Sequence, residues 1–111
     1  MTVLTIRSHK RYAMRMPVTL QRRGEKALRG LLIELSQQGA RISNLGAAPY
    51  EEGDSVTLEM RGGRSIHSTV RWVRDGVAGL RLNTSLHIPE MSDIISDDRS
   101  RIQDDERSYG T

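Results

Sequence analysis

Two arginines, Arg11 and Arg15, stand four residues apart near the start of the chain, and Lys10 directly precedes them. A guanidinium can donate two parallel, charge-assisted hydrogen bonds to a phosphate, or to O6 and N7 of guanine. Two such groups in one segment can enclose a compact dianion. Such a pair is suited to binding a nucleotide phosphodiester, although an arginine pair by itself more often marks a solvated charged segment.

A second polar group lies at residues 34–39, with the sequence Glu-Leu-Ser-Gln-Gln-Gly. The segment before it alternates, and its apolar residues are expected to share one face: Leu31, Ile33 and Leu35. Glu34 and Ser36 then share the opposite, outward face of a strand. Gly39 breaks the alternation, and Arg41 points outward if its neighbours point inward.

Short alternating segments separated by turn residues position these groups. The segments expected to form strands span residues 17–23, 26–35, 40–43, 54–60, 64–74 and 78–83. Five or six short strands at this spacing predict a mainly β chain, folded as a small antiparallel barrel. A short helix over residues 86–96 follows, because Met91, Ile94 and Ile95 recur at helical spacing.

A chain of 111 residues is long enough for a single domain and one core. We expect that domain to span residues 1–96, with a flexible basic segment over 1–16, the barrel over about 17–83 and then the helix. Residues 97–111 are charged and aperiodic, which predicts a disordered acidic tail.

Composition excludes several classes of protein. Cysteine is absent, so the chain has no disulfides and no thiolate metal site. No run approaches the roughly 20 apolar residues that span a membrane, and no secretory signal begins the chain. A cytoplasmic protein is expected. Basic residues concentrate in residues 7–29 and acidic ones after residue 90, and the basic front implies an anionic partner.

Catalysis is not predicted. His9, His67 and His87 are scattered without the spacing of metal ligands. The sequence contains no nucleophile elbow, phosphate-binding loop of the Walker type or paired-carboxylate motif. We therefore expect no enzymatic activity, no bound metal and no cofactor.

Trp72 admits two interpretations. It shares a predicted strand face with Ile66 and Val70, which favours a position in the core. On the outer face, its ring would instead offer a stacking surface to a planar ligand.

Four features together resemble the PilZ domain family: the arginine pair, the polar group at 34–39, the sequence Gly-Ala-Arg-Ile at 39–42, and Val-Arg-Trp-Val-Arg at 70–74. The resemblance covers residues 7 to about 83. It implies a six-stranded antiparallel barrel that binds the bacterial second messenger cyclic di-GMP. In the family, the arginines of an RxxxR motif bind phosphates and guanine edges, and a (D/N)xSxxG motif contacts the same ligand.

Carried over to this sequence, the resemblance implies a set of ligand contacts: Lys10, Arg11, Arg15, Glu34, Ser36, Gly39, Arg41 and Trp72. Ser36 would supply a hydrogen-bonding hydroxyl, and Gly39 would allow close approach of the ligand. Lys10 occupies a position that influences ligand stoichiometry in the family. Glu34 stands where the family has Asp or Asn, so its carboxylate lies about 1.5 Å further from the backbone, one carbon–carbon bond.

The resemblance also implies a relay. Ordering of the segment before Pro17 around the ligand would change the surface that a downstream protein meets. Motility, exopolysaccharide synthesis and surface attachment are the processes implied. No membrane insertion and no specific nucleic acid are expected.

Two alternatives remain open. One is an adaptor that acts by protein contact without ligand, for which Glu34 is the supporting residue. The other is a small basic barrel that binds RNA or single strands through phosphates. Proteins of that kind usually add stacking aromatic residues, which make up only 4% of this chain.

Overall fold

Six antiparallel strands and one helix make up most of the fold; the structure, a computed structural model, describes residues 10–109, with side chains for residues 10–103. The elements are β1 (Tyr12–Arg22), β2 (Leu28–Leu35), β3 (Gly39–Ser43), β4 (Ser55–Glu59), a 3-10 turn (Arg61–Gly63), β5 (Ser65–Arg74), β6 (Val77–Leu82) and α1 (Ile88–Tyr109). The strands close in the order β1-β2-β3-β6-β5-β4. The predicted six-stranded antiparallel barrel with a C-terminal helix is therefore confirmed.

The barrel encloses one aliphatic core, and β1 shows how it is built. Alternate residues of that strand are buried: Tyr12, Met14, Met16, Val18 and Leu20. Met91 and Ile95 of α1 are also fully buried and belong to the same cluster. Burying an aliphatic side chain of this size contributes about 1.5–3 kcal/mol, so the helix is held to the barrel by apolar packing.

The strand β1 begins earlier than the sequence predicted. The expectation of a flexible segment up to residue 16 is wrong for residues 12–16, which form the first part of β1. Tyr12 pairs with Leu35 of β2, and buried side chains alternate with exposed ones from there on. Pro17 lies inside the strand with its side chain exposed and does not mark its start. Residues 1–9 lie outside the described part of the chain.

The helix α1 ends later than predicted. It runs to Tyr109, so the expectation of a disordered tail from residue 97 is wrong for residues 97–109. Asp98, in the middle of that charged run, is fully buried. A solvated charge run and a helix that buries one charge look alike in sequence, because only the tertiary partner distinguishes them. Residues 110 and 111 lie outside the described part of the chain.

The alternation expected in β2 is interrupted by an irregularity. Leu32 and Leu35 are fully buried, whereas Leu31 and Ile33 are only partly buried, so the predicted face is wrong for the last two. The pairing of β2 with β3 shifts after Leu32, which leaves one extra residue in β2. Such a bulge reverses the faces of the residues that precede it and leaves Glu34 on the outside.

Candidate functional site

A cavity of about 260 Å³ opens on the outer surface where the start of β1 meets β2, β3, β5 and β6. The residues that line it are mostly polar or basic: Arg11, Glu34, Ser36, Gln38, Gly39, Ala40, Arg41, Arg71, Trp72, Gly79, Leu80 and Arg81. Six of the eight residues expected from the sequence are among them. Lys10 and Arg15 are not.

Glu34 is the centre of the charged side of this cavity. Its Oε1 lies 3.6 Å from Nε of Arg11, and its Oε2 lies 4.0 Å from Nη1 of Arg41. The register explains the second pair, since Glu34 of β2 lies opposite Arg41 of β3. Both distances exceed those of a well-formed charge-assisted hydrogen bond, so these are loose ion pairs. The Arg11 side chain remains 70% exposed.

Positive charge is in excess around the cavity. Among the described residues that line it, four are arginines, Arg11, Arg41, Arg71 and Arg81, whereas the one carboxylate is that of Glu34. A concave surface lined by one sign of charge raises the local concentration of oppositely charged ligands. The cavity is therefore suited to an anion that carries more than one negative charge.

Ser36 and Gly39 form the tight connection between β2 and β3. The Ser36 hydroxyl oxygen accepts the backbone N–H of Gly39 at 3.0 Å and that of Gln38 at 3.3 Å. The Ser36 N–H donates to the Gly39 carbonyl at 2.9 Å. A Cβ at Gly39 would lie 3.1 Å from the carbonyl oxygen of Leu80, closer than most real contacts. The hydroxyl thus holds the turn that shapes one wall of the cavity.

Trp72 lies on the outer surface, and the interpretation that favoured the core is wrong. Val70 pairs with Leu80 and Trp72 pairs with Gly79, so β5 contains one extra residue, Arg71, relative to β6. This bulge resets the alternation of β5. Val70 stays buried, whereas Trp72 is 39% exposed and faces the cavity.

The Trp72 indole rests on the bare backbone of Gly79. A Cβ built on Gly79 would overlap Nε1 and Cε2 of the indole and would lie 2.9 Å from Cδ1. The guanidinium carbon of Arg41 lies 5.5 Å from the ring centroid, within the range of a cation–π contact. A glycine and a cation therefore hold the ring in place on the surface.

Arg15 and Lys10 have other neighbours in this structure. The backbone N–H of Arg15 lies 3.2 and 3.3 Å from the two carboxylate oxygens of Asp98 in α1. The ammonium of Lys10 lies 5.1 Å from the centre of the Tyr12 ring. The structure thus brings Arg11 to the cavity and leaves its motif partner outside the lining.

The lining also includes Gly79, Arg71 and Arg81, which were not predicted as site residues. The position of Gly79 could have been predicted, because a glycine inside a strand often marks a close approach by another group. The position of Arg71 could not, because it depends on the bulge in β5. Arg81 alternates with the buried Leu80 and Leu82, so its outward position could have been predicted.

Neither a metal site nor a membrane span is found in the part of the chain that the structure describes. No group of three or more His, Asp or Glu side chains there could hold a metal ion. No helix there is both long and apolar enough to cross a membrane.

Comparison with known proteins agrees with this geometry. The PilZ domain family matches residues 5–97. No curated protein is significantly similar in sequence to this chain. A solved structure, that of the Bacillus subtilis inhibitor of motility MotI/DgrA, superposes with a TM-score of 0.62 at 16% identity, and this similarity shows the fold alone. The match covers 90% of this chain but only 53% of that one, so the chain spans about half the length of its structural neighbour. The chain belongs to the PilZ domain family, whose members are receptor and adaptor domains for cyclic di-GMP.

Proposed function

We propose that this protein binds cyclic di-GMP in the cavity beside Trp72 and relays that binding to a partner protein, without catalysing a reaction. The observation that carries the proposal is the grouping of Arg11, Glu34 and Arg41 next to an exposed indole. This grouping offers cations for phosphates, an acceptor for a base edge and a stacking face in one place.

The phosphates of the ligand are assigned to the arginines. Cyclic di-GMP is a dianion. The cavity is lined by four arginines and one carboxylate, so it has an excess of positive charge that can bind the two phosphates. Arg11 is the first candidate, because its single carboxylate partner lies at 3.6 Å and most of its side chain is exposed. A hydrogen bond to a charged group contributes about 1.5–3 kcal/mol, so the loss of one arginine is expected to weaken binding at least tenfold.

The guanine bases are assigned to Trp72, Arg41 and Glu34. The indole offers a flat apolar face, and stacking of a base on an aromatic ring contributes about 1–3 kcal/mol. Arg41 can donate to O6 and N7 of guanine. The carboxylate of Glu34 can accept the N1 and N2 hydrogens of guanine once it separates from the arginines, and its longer side chain is then the feature that tunes affinity.

Arg15 and Lys10 are proposed to join the site when the ligand binds. Both lie on the same segment as Arg11, although neither lines the cavity. Because β1 is formed from Tyr12 onward, the rearrangement that relays the signal is assigned to Lys10 and Arg11, which directly precede the strand. A change in their position would create a new surface for a downstream protein.

The protein is proposed to act in the cytoplasm of a bacterium. The process that it regulates is proposed to be motility or surface attachment. The structural neighbour is an inhibitor of motility, and it shares this fold over 90% of the present chain.

The experiment that tests the proposal is calorimetric titration with cyclic di-GMP at physiological salt, with GTP as the control nucleotide. Micromolar or tighter binding, selective over GTP, is expected. Arg15→Ala should lose at least tenfold in affinity, whereas Arg23→Ala, an exposed arginine outside the cavity, should bind normally. Absence of heat, together with unchanged amide shifts, would overturn the proposal.

A second candidate function is favoured by the contacts of Glu34. Its carboxylate already pairs with Arg11 and Arg41, so a phosphate must displace it. If breaking the ion pairs of Glu34 costs more free energy than the phosphate contacts supply, the domain does not bind the ligand and is an adaptor that binds protein alone. Glu34→Asp would distinguish the two, because the shorter side chain should restore binding to an adaptor but change a working receptor only modestly.

A further inference from the structure

The buried carboxylate of Asp98 is the feature that the proposed function leaves without a role. Among the described residues, Asp98 is the one charged residue whose side chain is fully buried. Burying a carboxylate is costly unless charges and hydrogen bonds compensate it. Its partners are Nη1 of Arg99 at 3.2 Å, Nη2 of Arg101 at 3.4 Å, and the backbone N–H of Arg15.

The contact with Arg15 falls on an irregularity of β1. The pairing of β1 with β2 shifts between Ala13 and Met16, so Met14 and Arg15 lie opposite a single residue of β2. A bulge of this kind leaves the ladder of hydrogen bonds locally disrupted. Here the N–H of Arg15 is donated to Asp98, which lies 83 residues further along the chain.

Arg99 adds a second contact to the same stretch of backbone. Its Nη1 donates to the carbonyl oxygen of Ala13 at 2.8 Å. Two consecutive residues of α1 thus hold the backbone of β1 on either side of Met14, whose own side chain is buried in the core. The backbone that they hold, from Ala13 to Arg15, is the second half of the segment that begins at Arg11 and ends at Arg15.

We infer that Asp98 is a positioning residue for the ligand-binding arginines: it fixes the β1 bulge from which Arg15 projects and holds the strand that follows Arg11. The inference rests on the proposed function. A backbone that is already fixed does not lose its conformational freedom when the ligand binds, which favours affinity. Through Asp98 the position of α1 is also linked to the ligand site, so a partner that moves the helix would change ligand affinity.

The test compares three variants on the same helix by calorimetric titration with cyclic di-GMP. Asp98→Ala removes the acceptor of the Arg15 N–H and is expected to weaken binding about tenfold. Asp98→Asn keeps one side-chain oxygen for that N–H and should retain most of the affinity. Asp97→Ala is the matched control, since Asp97 is the exposed neighbour and should bind as the unchanged chain does. Equal or tighter binding by Asp98→Ala would overturn the inference.

A double-mutant cycle separates positioning from a general loss of stability. In an Arg15→Ala background, Asp98→Ala should cause a smaller further loss of affinity than it causes in the unchanged chain, because part of its contribution acts through Arg15. Additive losses would show that Asp98 acts only on the overall fold and would overturn the inference.

A measurement without ligand keeps this inference distinct from the proposed function. Hydrogen exchange of the Arg15 amide should be much faster in Asp98→Ala than in the unchanged chain, and close to normal in Asp98→Asn and Asp97→Ala. If the unchanged chain does not bind cyclic di-GMP, the proposed function fails and this exchange pattern still decides whether Asp98 fixes the bulge. Unchanged exchange in Asp98→Ala would reject the positioning role by itself.

Discussion

The two ends of β1 carry arginine clusters that are built in opposite ways. At its end, Nη1 of Arg22 lies 2.6 Å from Oδ2 of Asp54, and its Nη2 and Nε lie 2.7 and 2.8 Å from the Glu25 carboxylate. Just before its start, Arg11 meets the single carboxylate of Glu34 at 3.6 Å. One arginine has two close acidic partners, and the other shares one distant partner with Arg41.

The surroundings of Arg22 complete the contrast. Its Nη1 also donates to the carbonyl oxygen of Pro49 at 3.2 Å, and its guanidinium carbon lies 5.6 Å from the Tyr50 ring centre. The Tyr50 hydroxyl in turn donates to the Leu20 carbonyl at 3.0 Å. The contacts with Pro49, Tyr50 and Asp54 join the last part of β1 to the loop before β4. The hydrogen bonds that Arg22 donates to the carboxylates of Glu25 and then Asp54 raise the pKa of Arg22 above its ordinary value.

The comparison teaches how to distinguish structural arginines from arginines that are available to a ligand. Where the acids match or exceed the cations at short distance, as around Arg22, the cluster stabilises the fold and has no positive charge left for a ligand. Where arginines outnumber the acids and the pairs are long, as in the cavity, the charge is available to an anion. Both types look the same in the sequence as members of one basic front.

The largest effect on ligand affinity is expected at Arg11, the arginine with the single distant partner. Arg11→Ala should lower the affinity for cyclic di-GMP at least tenfold, because it removes a charge-assisted contact, and it should leave the melting temperature almost unchanged. Titration calorimetry and a thermal melt measure the two quantities. A variant that melted early and still bound normally would reverse the roles assigned to the two clusters.

The next largest effect is expected at Gly79, whose backbone lies against the Trp72 indole. Gly79→Ala places a methyl group where the Trp72 ring now lies, so the ring must shift, and affinity should fall about fivefold. Trp72 is the single tryptophan of the chain, so its fluorescence reports the displacement directly. In a Trp72→Ala background the same substitution should change affinity little. An unchanged emission spectrum and affinity in Gly79→Ala would contradict this arrangement of the site.

A smaller effect of the opposite kind is expected at the other cluster. Arg22→Ala should lower the melting temperature, because Glu25 and Asp54 lose their common partner and the bond to Pro49 is lost. Its affinity for cyclic di-GMP should stay within about twofold of the unchanged chain, since distant sites usually act independently. Arg23→Ala is the control for removing a charge from this hairpin. A large loss of ligand affinity in Arg22→Ala would mean that the two clusters are not separate.

The smallest effect is a dependence of stability on acid pH. Hydrogen bonds from Arg22 lower the pKa of Glu25 below its ordinary 4.5, and the pKa of Asp54 falls below 3.8 because of the Glu51 N–H and then Arg22. Both groups bind protons more readily unfolded than folded, so their contribution is present above the ordinary pKa values and is lost as pH falls through the lower folded ones.

Thermal melts between about pH 6 and pH 2.5 measure this dependence. Melting temperature should fall with acidification in the unchanged chain, and the fall should be shallower in Arg22→Ala, whose carboxylates lack their main partner. Equal slopes in the two proteins would contradict the assigned role of Arg22. The exposed position of the cluster keeps the expected difference modest.

The local pattern of the sequence was enough to predict the architecture and much of the site. Alternating apolar residues separated by glycine-containing turns predicted six strands, and the same alternation placed Glu34 and Arg41 together on the outside. These predictions succeed because strand faces and turns depend on neighbouring residues. The spacing of Arg11 and Arg15, together with three other features, also predicted the family, although the structure brings only Arg11 of that pair to the cavity.

Tertiary structure alone decided the positions of Trp72, Arg15 and Asp98. One extra residue in β5 turns Trp72 to the surface, and one in β1 presents the Arg15 N–H to a helix whose Asp98 lies 83 residues away in the chain. A bulge reverses the faces predicted by alternation without changing the composition of the segment. A buried carboxylate is stable only among partners brought together by folding. The sequence thus determined which segments form strands and which residues can bind an anion, while the pairing of the strands, its register and the docking of α1 determined which of them meet.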